Sequence, residues 1–245
     1  MPGSTVDREA TGMDLGHHHR VPFWHALAEE QRAGLRALGS LCRYPPEAVL
    51  VHERDDSDFV IVLLEGCVKV SANTQRGYQA VLALRDGGDL VGELAGFDGG
   101  GRSATLTAMT PVEALVIPAD RFRVFLKGFP QAAEIVQRTV SVRLREADRQ
   151  RAAAGAESVP QRLAELLLDL GRRYGVPDDN GGLLVELPLS QADLAGLVLS
   201  SQRTVGRTLE HWRDEGWVVT GRRSVLITAA GRAALAAAPH GQMSR

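Results

Sequence analysis

Residues 189–217 read LSQADLAGLVLSSQRTVGRTLEHWRDEGW, and the spacing of the apolar residues divides this stretch into two short helices around a tight turn. In the first, Leu189 and Ser190 lead into a segment where Leu194, Leu197 and Val198 share one face at helical spacing. In the second, Ser201 stands where an N-cap belongs, its hydroxyl free to accept a backbone N–H. Val205, Thr208, Leu209 and Trp212 then recur at i, i+3, i+4 and i+7, the spacing of a buried stripe. Successive helical residues turn by about 100°, so Arg203 and Arg207 project nearly opposite that stripe, with Gln202 beside them in the first turn. Arginine can donate two hydrogen bonds to guanine O6 and N7, and glutamine can pair with an adenine edge, so this surface suits a DNA major groove. The motif is a helix-turn-helix.

A charged helix face can equally be one that is only solvated; the residues that follow argue for the reader. Trp217–Thr220 and Val225–Thr228 are two β-rich runs around the turn Gly221-Arg222-Arg223-Ser224. They form a hairpin, the wing of a winged helix, whose tip arginines can reach phosphates. The candidate DNA contacts are therefore Ser190, Ser201, Gln202, Arg203, Thr204, Arg207, Arg222 and Arg223.

Upstream the pattern changes. Val49–Val51, Phe59–Leu64, Cys67–Val70, Ala80–Leu84, Leu90–Val91, Ala104–Met109 and Ala114–Ile117 are short strand-like runs separated by turn residues such as Glu65-Gly66 and Thr110-Pro111. Such runs at close intervals predict an antiparallel roll or barrel. Ahead of them, Phe23, Trp24, Leu27, Leu35 and Leu38 predict one short helix over about Pro22 to Leu41. Beyond them a helical pattern starts at Pro118, and a second runs from Pro130 to about Ala153. In that second segment Ile135, Val136, Val140, Leu144 and Ala147 form a narrow apolar seam, suited either to pairing with its own copy or to lying on its own barrel. Ala152–Ser158, rich in Ala and Gly, reads as a hinge, residues 161–173 as a helix, Pro177–Gly182 as a polar loop and Ala229–Ala238 as a final helix.

Composition sets the bounds. The chain has 245 residues, 44% of them hydrophobic, long enough for two modest domains. A net charge of −2 gives no global attraction to nucleic acid, so DNA binding has to come from local basic patches. The two cysteines, Cys42 and Cys67, cannot supply the four thiolates of an iron–sulfur cluster and read as buried small hydrophobes. An enzyme on a cupin-like barrel would need His and Glu clustered on strands. Only His52 lies near one, so neither catalytic residues nor a metal site is expected, although His17–His19 in the polar tail could hold a metal. No apolar run approaches a membrane span of ~20 residues and no secretory h-region opens the chain, which predicts a cytoplasmic protein with no membrane partner.

The run GELAGFDGGGRSA, Gly92 to Ala104, carries the second signal. Backbone N–H groups near Gly92 and Ala95, with Leu94 between, can turn inward as a nest for an anion. Glu93 can accept a hydrogen bond from a sugar hydroxyl, and Arg102, assisted by Ser103, can pair with a phosphate through its fork. An internal ion pair between Glu93 and Arg102 is the competing expectation.

From about Pro22 to Ala236 the chain resembles the cyclic-AMP receptor protein/Fnr (Crp/Fnr) family of bacterial transcription regulators. Two motifs carry the likeness: Gly92–Ala104 resembles the family's phosphate-binding cassette, and Ser201–Arg207 its recognition helix. The likeness implies an α+β chain with an N-terminal antiparallel β-roll of the cyclic-nucleotide-binding type, a long central dimerisation helix and a C-terminal winged helix-turn-helix. It divides the chain into a flexible tail (1–20), an effector domain (21–130), a dimerisation helix and hinge (131–155), a DNA-binding domain (156–236) and a C-terminal tail (237–245). Its implied partners are double-stranded DNA with a pseudo-palindromic operator, a second copy as homodimer, and RNA polymerase. Its implied ligand is cyclic AMP or a related cyclic nucleotide, with Glu93 on the ribose hydroxyl and Arg102, Ser103 and the Ala95 backbone on the phosphate.

Four features depart from the family pattern. Where cyclic-AMP responders usually present Thr and Ser to the purine, this chain has Ala147 and Asp148. Asp148 can only accept, from an adenine amino group or from the N1 and N2 hydrogens of guanine. Cyclic AMP comes first, with cyclic GMP, another nucleotide or no effector at all left open. The early-loop Gly-Asp is Arg54-Asp55, the frequent Arg-Glu reader is Gln202-Arg203, and Leu199 replaces the turn glycine, which requires the turn to avoid φ > 0 or to tolerate strain. An effector-independent regulator and a ligand-sensing adaptor that binds no DNA are the rival readings.

Overall fold

The computed structural model describes residues 21–73, 79–94 and 100–237. The N-terminal tail with His17–His19, Ala95 and nearly all of the C-terminal tail lie outside them. Eight strands make the N-terminal part: β1 (Ser40–Tyr44), β2 (Val49–Val51), β3 (Phe59–Glu65), β4 (Cys67–Asn73), β5 (Gln79–Asp86), β6 (Leu90–Val91), β7 (Thr105–Ala108) and β8 (Val112–Pro118). They form two four-stranded antiparallel sheets, ordered β1-β8-β3-β6 and β2-β7-β4-β5. This is the β-roll.

The continuous apolar run of β3 follows from burial on both faces. Ile61 and Leu63 point between the sheets with Leu50, Val68, Leu106 and Ala114, while Val60 and Val62 point outward. The outward pair packs with Leu115 and Ile117 of β8 and with Phe23, Leu35, Phe122 and Phe125 from the helices that cover this face. A strand alternates its faces with period two, so covering both removes the polar alternation. Each fully buried Leu or Phe contributes about 2 kcal/mol of transfer free energy.

The covering helices are α1 (Phe23–Ala26), α2 (Glu29–Leu38), α3 (Ala119–Gly128) and the start of α4 (Pro130–Ala156). The single helix expected over Pro22–Leu41 is thus two helices and a strand. Leu27 is extended (ψ 144°) and buried, and Gln31 reaches back to the Ala28 N–H at 2.9 Å to start the second helix. Ser40–Tyr44 escapes the pattern because it is an edge strand with its side chains largely exposed.

Along α4 the two alternatives for the apolar seam separate. Ala132, Val136 and Thr139 are buried on the roll's own core with Ile135 packed beside them, whereas Leu144 is 61% exposed and Val140 and Ala147 only half-buried. The expected hinge at Ala152–Ser158 is also shifted. Helix α4 continues to Ala156, and the break falls at Glu157–Ser158. Pro160 imposes it, since in a continuous helix the ring would clash with the Ala156 carbonyl. Ser158 then caps the next helix through a reciprocal pair with Gln161.

The C-terminal part is α5 (Val159–Tyr174), β9 (Gly175–Pro177), β10 (Leu183–Val185), α6 (Gln191–Leu197), α7 (Gln202–Asp214), β11 (Val218–Thr220), β12 (Val225–Ile227) and α8 (Ala229–Ala237). The wing hairpin β11–β12 is half of a four-stranded sheet ordered β11-β12-β10-β9. Trp212, Leu163, Leu167, Leu209 and Ile227 centre its core, which also takes in Cys67, Leu84 and Met109 of the roll. Of the two cysteines only Cys67 is buried; Cys42 lies half-exposed on the edge strand β1, where its outward face meets solvent. No helix among the described residues is long and apolar enough to cross a membrane.

Candidate nucleotide cassette and DNA-reading surface

The cassette is built around Arg102. Gly92 has φ +74°, a left-handed conformation that leaves its carbonyl facing the guanidinium, and a Cβ there would fall 2.5 Å from Arg102 Nη1. Arg102 donates from Nη1 to the Gly92 carbonyl (2.9 Å), from Nη2 to the Phe59 carbonyl (2.6 Å) and from Nε to Ser57 Oγ (2.9 Å). Its guanidinium also lies 4.6 Å from the centre of the Phe59 ring. Burial pushes its pKa down, against the nearby Asp55, Asp58 and Glu93 carboxylates. The neighbouring loop is locked onto the same residue: Arg54 N donates to the Arg102 carbonyl (2.8 Å) and Arg102 N to the Asp55 carbonyl (3.1 Å). Arg54, where the family pattern has glycine, holds φ +66° to do so.

Glu93 does not pair with Arg102. Its Oε1 accepts from Nη1 of Arg143 on α4 at 2.7 Å, with side chains only 7% and 13% exposed. Arg143 also donates to the Leu90 carbonyl (2.6 Å) and lies 3.6 Å from Asp89. The central helix is therefore tied directly to the cassette, and Arg143 is a site residue that the sequence reading missed. Leu94 and Ser103, the chain neighbours of Glu93 and Arg102, are exposed. Asp148 points to solvent and pairs with Arg151 at 2.9 Å; within one chain it is not brought to the cassette.

On the reader, Ser201 Oγ accepts from Thr204 N at 3.1 Å, the expected N-cap, and the two hydroxyls lie 2.8 Å apart. Val205, Thr208, Leu209 and Trp212 are buried, which orients α7 and leaves Gln202, Arg203, Thr204 and Arg207 exposed on the opposite side. Among the described residues Arg203 and Arg207 have no acidic partner. The turn tolerates strain rather than avoiding it: Leu199 has φ +50°. Ser190 and Asp193 form the reciprocal cap of α6, each side chain accepting from the other's N–H at 3.1 and 2.8 Å. At the wing tip Arg222 is exposed, while Arg223 is held by Glu47 of the roll at 3.0 Å.

Comparison with known proteins matches residues 41–129 to the cyclic nucleotide-binding domain and residues 161–238 to the Crp-like helix-turn-helix domain. A CRP-like cAMP-activated global transcriptional regulator from Mycobacterium tuberculosis is 30% identical over 185 residues, covering 76% of this chain and 82% of that protein. The cAMP-activated global transcriptional regulator CRP of Haemophilus influenzae is 23% identical, over 76% of this chain and 83% of its own. Among solved structures, the c-di-GMP responsive global regulator CLP of Xanthomonas campestris superposes with a TM-score of 0.73 at 21% identity, over 82% of this chain and all of that one (100%). FixK2 from Bradyrhizobium japonicum gives 0.67 at 19% identity, over 82% and 96%. These two share the fold.

Proposed function

This chain belongs to the Crp/Fnr family of transcription regulators, and on that premise we propose that it is a cytoplasmic homodimer that reads a pseudo-palindromic operator under the control of a cyclic nucleotide. The observation that carries the reading is the α7 surface, where Gln202, Arg203 and Arg207 stand exposed opposite a buried stripe, the two arginines without an acidic partner among the described residues. Arg203 and Arg207 contact base edges. Ser190, Ser201, Thr204, Arg222 and Arg223 contact phosphates, with Arg223 exchanging Glu47 for DNA. Two copies pair through the half of α4 that its own roll leaves uncovered, around Val140, Leu144 and Ala147. This sets the two readers about one DNA turn (~34 Å) apart. RNA polymerase is the further partner that the family likeness suggests.

Cyclic AMP is the first-choice ligand. Arg102 uses three of its five N–H groups on Ser57, Phe59 and Gly92, which leaves two for a phosphate oxygen. Glu93 gives only Oε1 to Arg143, so Oε2 can accept from the ribose hydroxyl. A ligand there would press on Arg143 and so on α4; Asp148, which faces solvent within one chain, would meet the base only across the dimer. The same bonds favour a second reading, an effector-independent regulator, because the protein alone already holds the Arg102 fork.

Titration calorimetry with cyclic AMP and cyclic GMP decides between them, wild type against Arg102→Ala. Heat of binding that disappears in the variant supports the phosphate role; no heat with either nucleotide leaves the effector-independent regulator. Arg203→Ala and Arg207→Ala should each cost about 1–3 kcal/mol of sequence-specific affinity. Unchanged affinity in both would refute the reader.

A further inference from the structure

The reader is docked on the roll through the side of α6 that faces away from the recognition surface. Lys69 Nζ of β4 lies 2.9 Å from Asp193 Oδ1, the cap residue of α6, with side chains 17% and 11% exposed. Burial works against the Asp193 carboxylate, yet the bonds from Lys69 and Ser190 outweigh it and hold its pKa below the usual range. One turn further, Gly196 lies against the backbone of β5, where a Cβ would come within 2.7 Å of Val81 N and 3.0 Å of Val81 O. On the other side of Lys69, Asp86 of β5 accepts from both Arg173 and Tyr174 at the end of α5, and Tyr174 lies 3.5 Å from Cys67 Sγ. The seam therefore has a tight backbone approach at one end, the Lys69–Asp193 pair in the middle and a polar cluster at the other end.

We infer that Lys69 and Gly196 are positioning residues for DNA reading: the seam they make fixes the orientation of the reader on the roll, so that a dimer meets both half-sites at once. This rests on the dimeric reading above. Without the seam, the Glu157–Ser158 break would let each reader turn freely, and that freedom would be lost on binding the second half-site. A rigid seam raises the effective concentration of the second reader at its half-site. The recognition surface stays exposed in the docked arrangement, as an orienting contact requires. The seam is also close to the cassette in the chain's hydrogen-bonded order, since Lys69 is the register partner of Thr107 on β7, the strand that follows Arg102 and Ser103.

Two points of the seam can be changed without touching the reading face. Gly196→Ala favours the α6 helix by propensity but drives a methyl into the Val81 backbone. Lys69→Met removes the cation, and Lys69→Arg keeps one. The full-length proteins would be titrated, with and without cyclic AMP, on the duplex that the wild type selects and on the same duplex with one half-site scrambled. The expected result is that Gly196→Ala and Lys69→Met lower the full-site to half-site affinity ratio on the order of tenfold. Half-site affinity should stay at the wild-type value, and Lys69→Arg should recover most of the ratio. Amide exchange in α6 and β5 should quicken in the two disruptive variants. An unchanged ratio, unchanged exchange, or equal losses on both duplexes would overturn the inference, the last by showing a merely structural role. A wild type that binds the full site no more tightly than the half-site would instead refute the dimeric reading itself.

Discussion

Replacing Arg143 by Met removes the partner of a carboxylate that is almost wholly buried. The Glu93 and Arg143 side chains are 7% and 13% exposed and 2.7 Å apart, so solvent screens the pair little. Deleting one member of such a pair costs about 3–5 kcal/mol, because the other is left charged and buried. Asp89, itself buried, also loses the guanidinium 3.6 Å away, while the methionine recovers part of the packing. The lower end, about 3 kcal/mol, is therefore expected. For a unit of this size that lowers the melting midpoint by about 6–12 °C. Replacing both partners, Arg143→Met with Glu93→Gln, should recover more than half of the loss, because an amide next to a thioether is a far smaller desolvation problem than a lone carboxylate. Calorimetric melting of the four proteins of this cycle gives the coupling directly. A single variant Arg143→Met within about 0.5 kcal/mol of wild type would show that the pair does not anchor α4, and that the coupling of cassette to central helix drawn from it is wrong.

Three further outcomes follow from the same reasoning. Trp212→Ala, which empties the centre of the reader's core, should cost about 3–5 kcal/mol and abolish DNA retention; a folded, DNA-retaining variant would refute the packing role. Burial pushes the Cys67 thiol up to about 12, so iodoacetamide at neutral pH should modify Cys42 and leave Cys67 unmodified, as peptide mapping would show. The Asp193 carboxyl is held below its ordinary 3.8, so its stabilisation is complete above that value and fades as pH falls through it toward the lower native-state value. Urea midpoints of wild type and Asp193→Asn should therefore converge on acidification, and a gap that stays constant from neutral pH to about pH 3 would contradict the assignment.

What could be read from the sequence is what repeats locally. The recognition helix announces itself through the 3.6-residue stripe of Val205, Leu209 and Trp212 and through the Ser201 cap, both set by neighbours within one helix. The strands of the roll are legible because β3 and β8 are covered on both faces and read as apolar runs between turn residues. β1 was not, because an edge strand with exposed side chains has no such pattern. One departure from the family pattern also gave a usable expectation: the alternative set for Leu199 resolves as tolerated strain. Pairings between distant residues stayed out of reach. Arg143 reads as one more solvated arginine on α4, since the carboxylate that holds it is 50 residues earlier. Asp193 carried no signal at all, since its partner Lys69 lies 124 residues away. For the same reason Glu93 and Arg102 suggested each other, when each had a partner from another element.

Selection of genomic DNA fragments by the purified full-length protein, with and without cyclic AMP, tests the central claim most directly. Control of a DNA reader by a cyclic nucleotide predicts one palindromic motif, enriched strongly with cyclic AMP and weakly without it. Equal enrichment in both samples would contradict control by cyclic AMP and leave the reader intact. No enriched motif in either would contradict the account at its root.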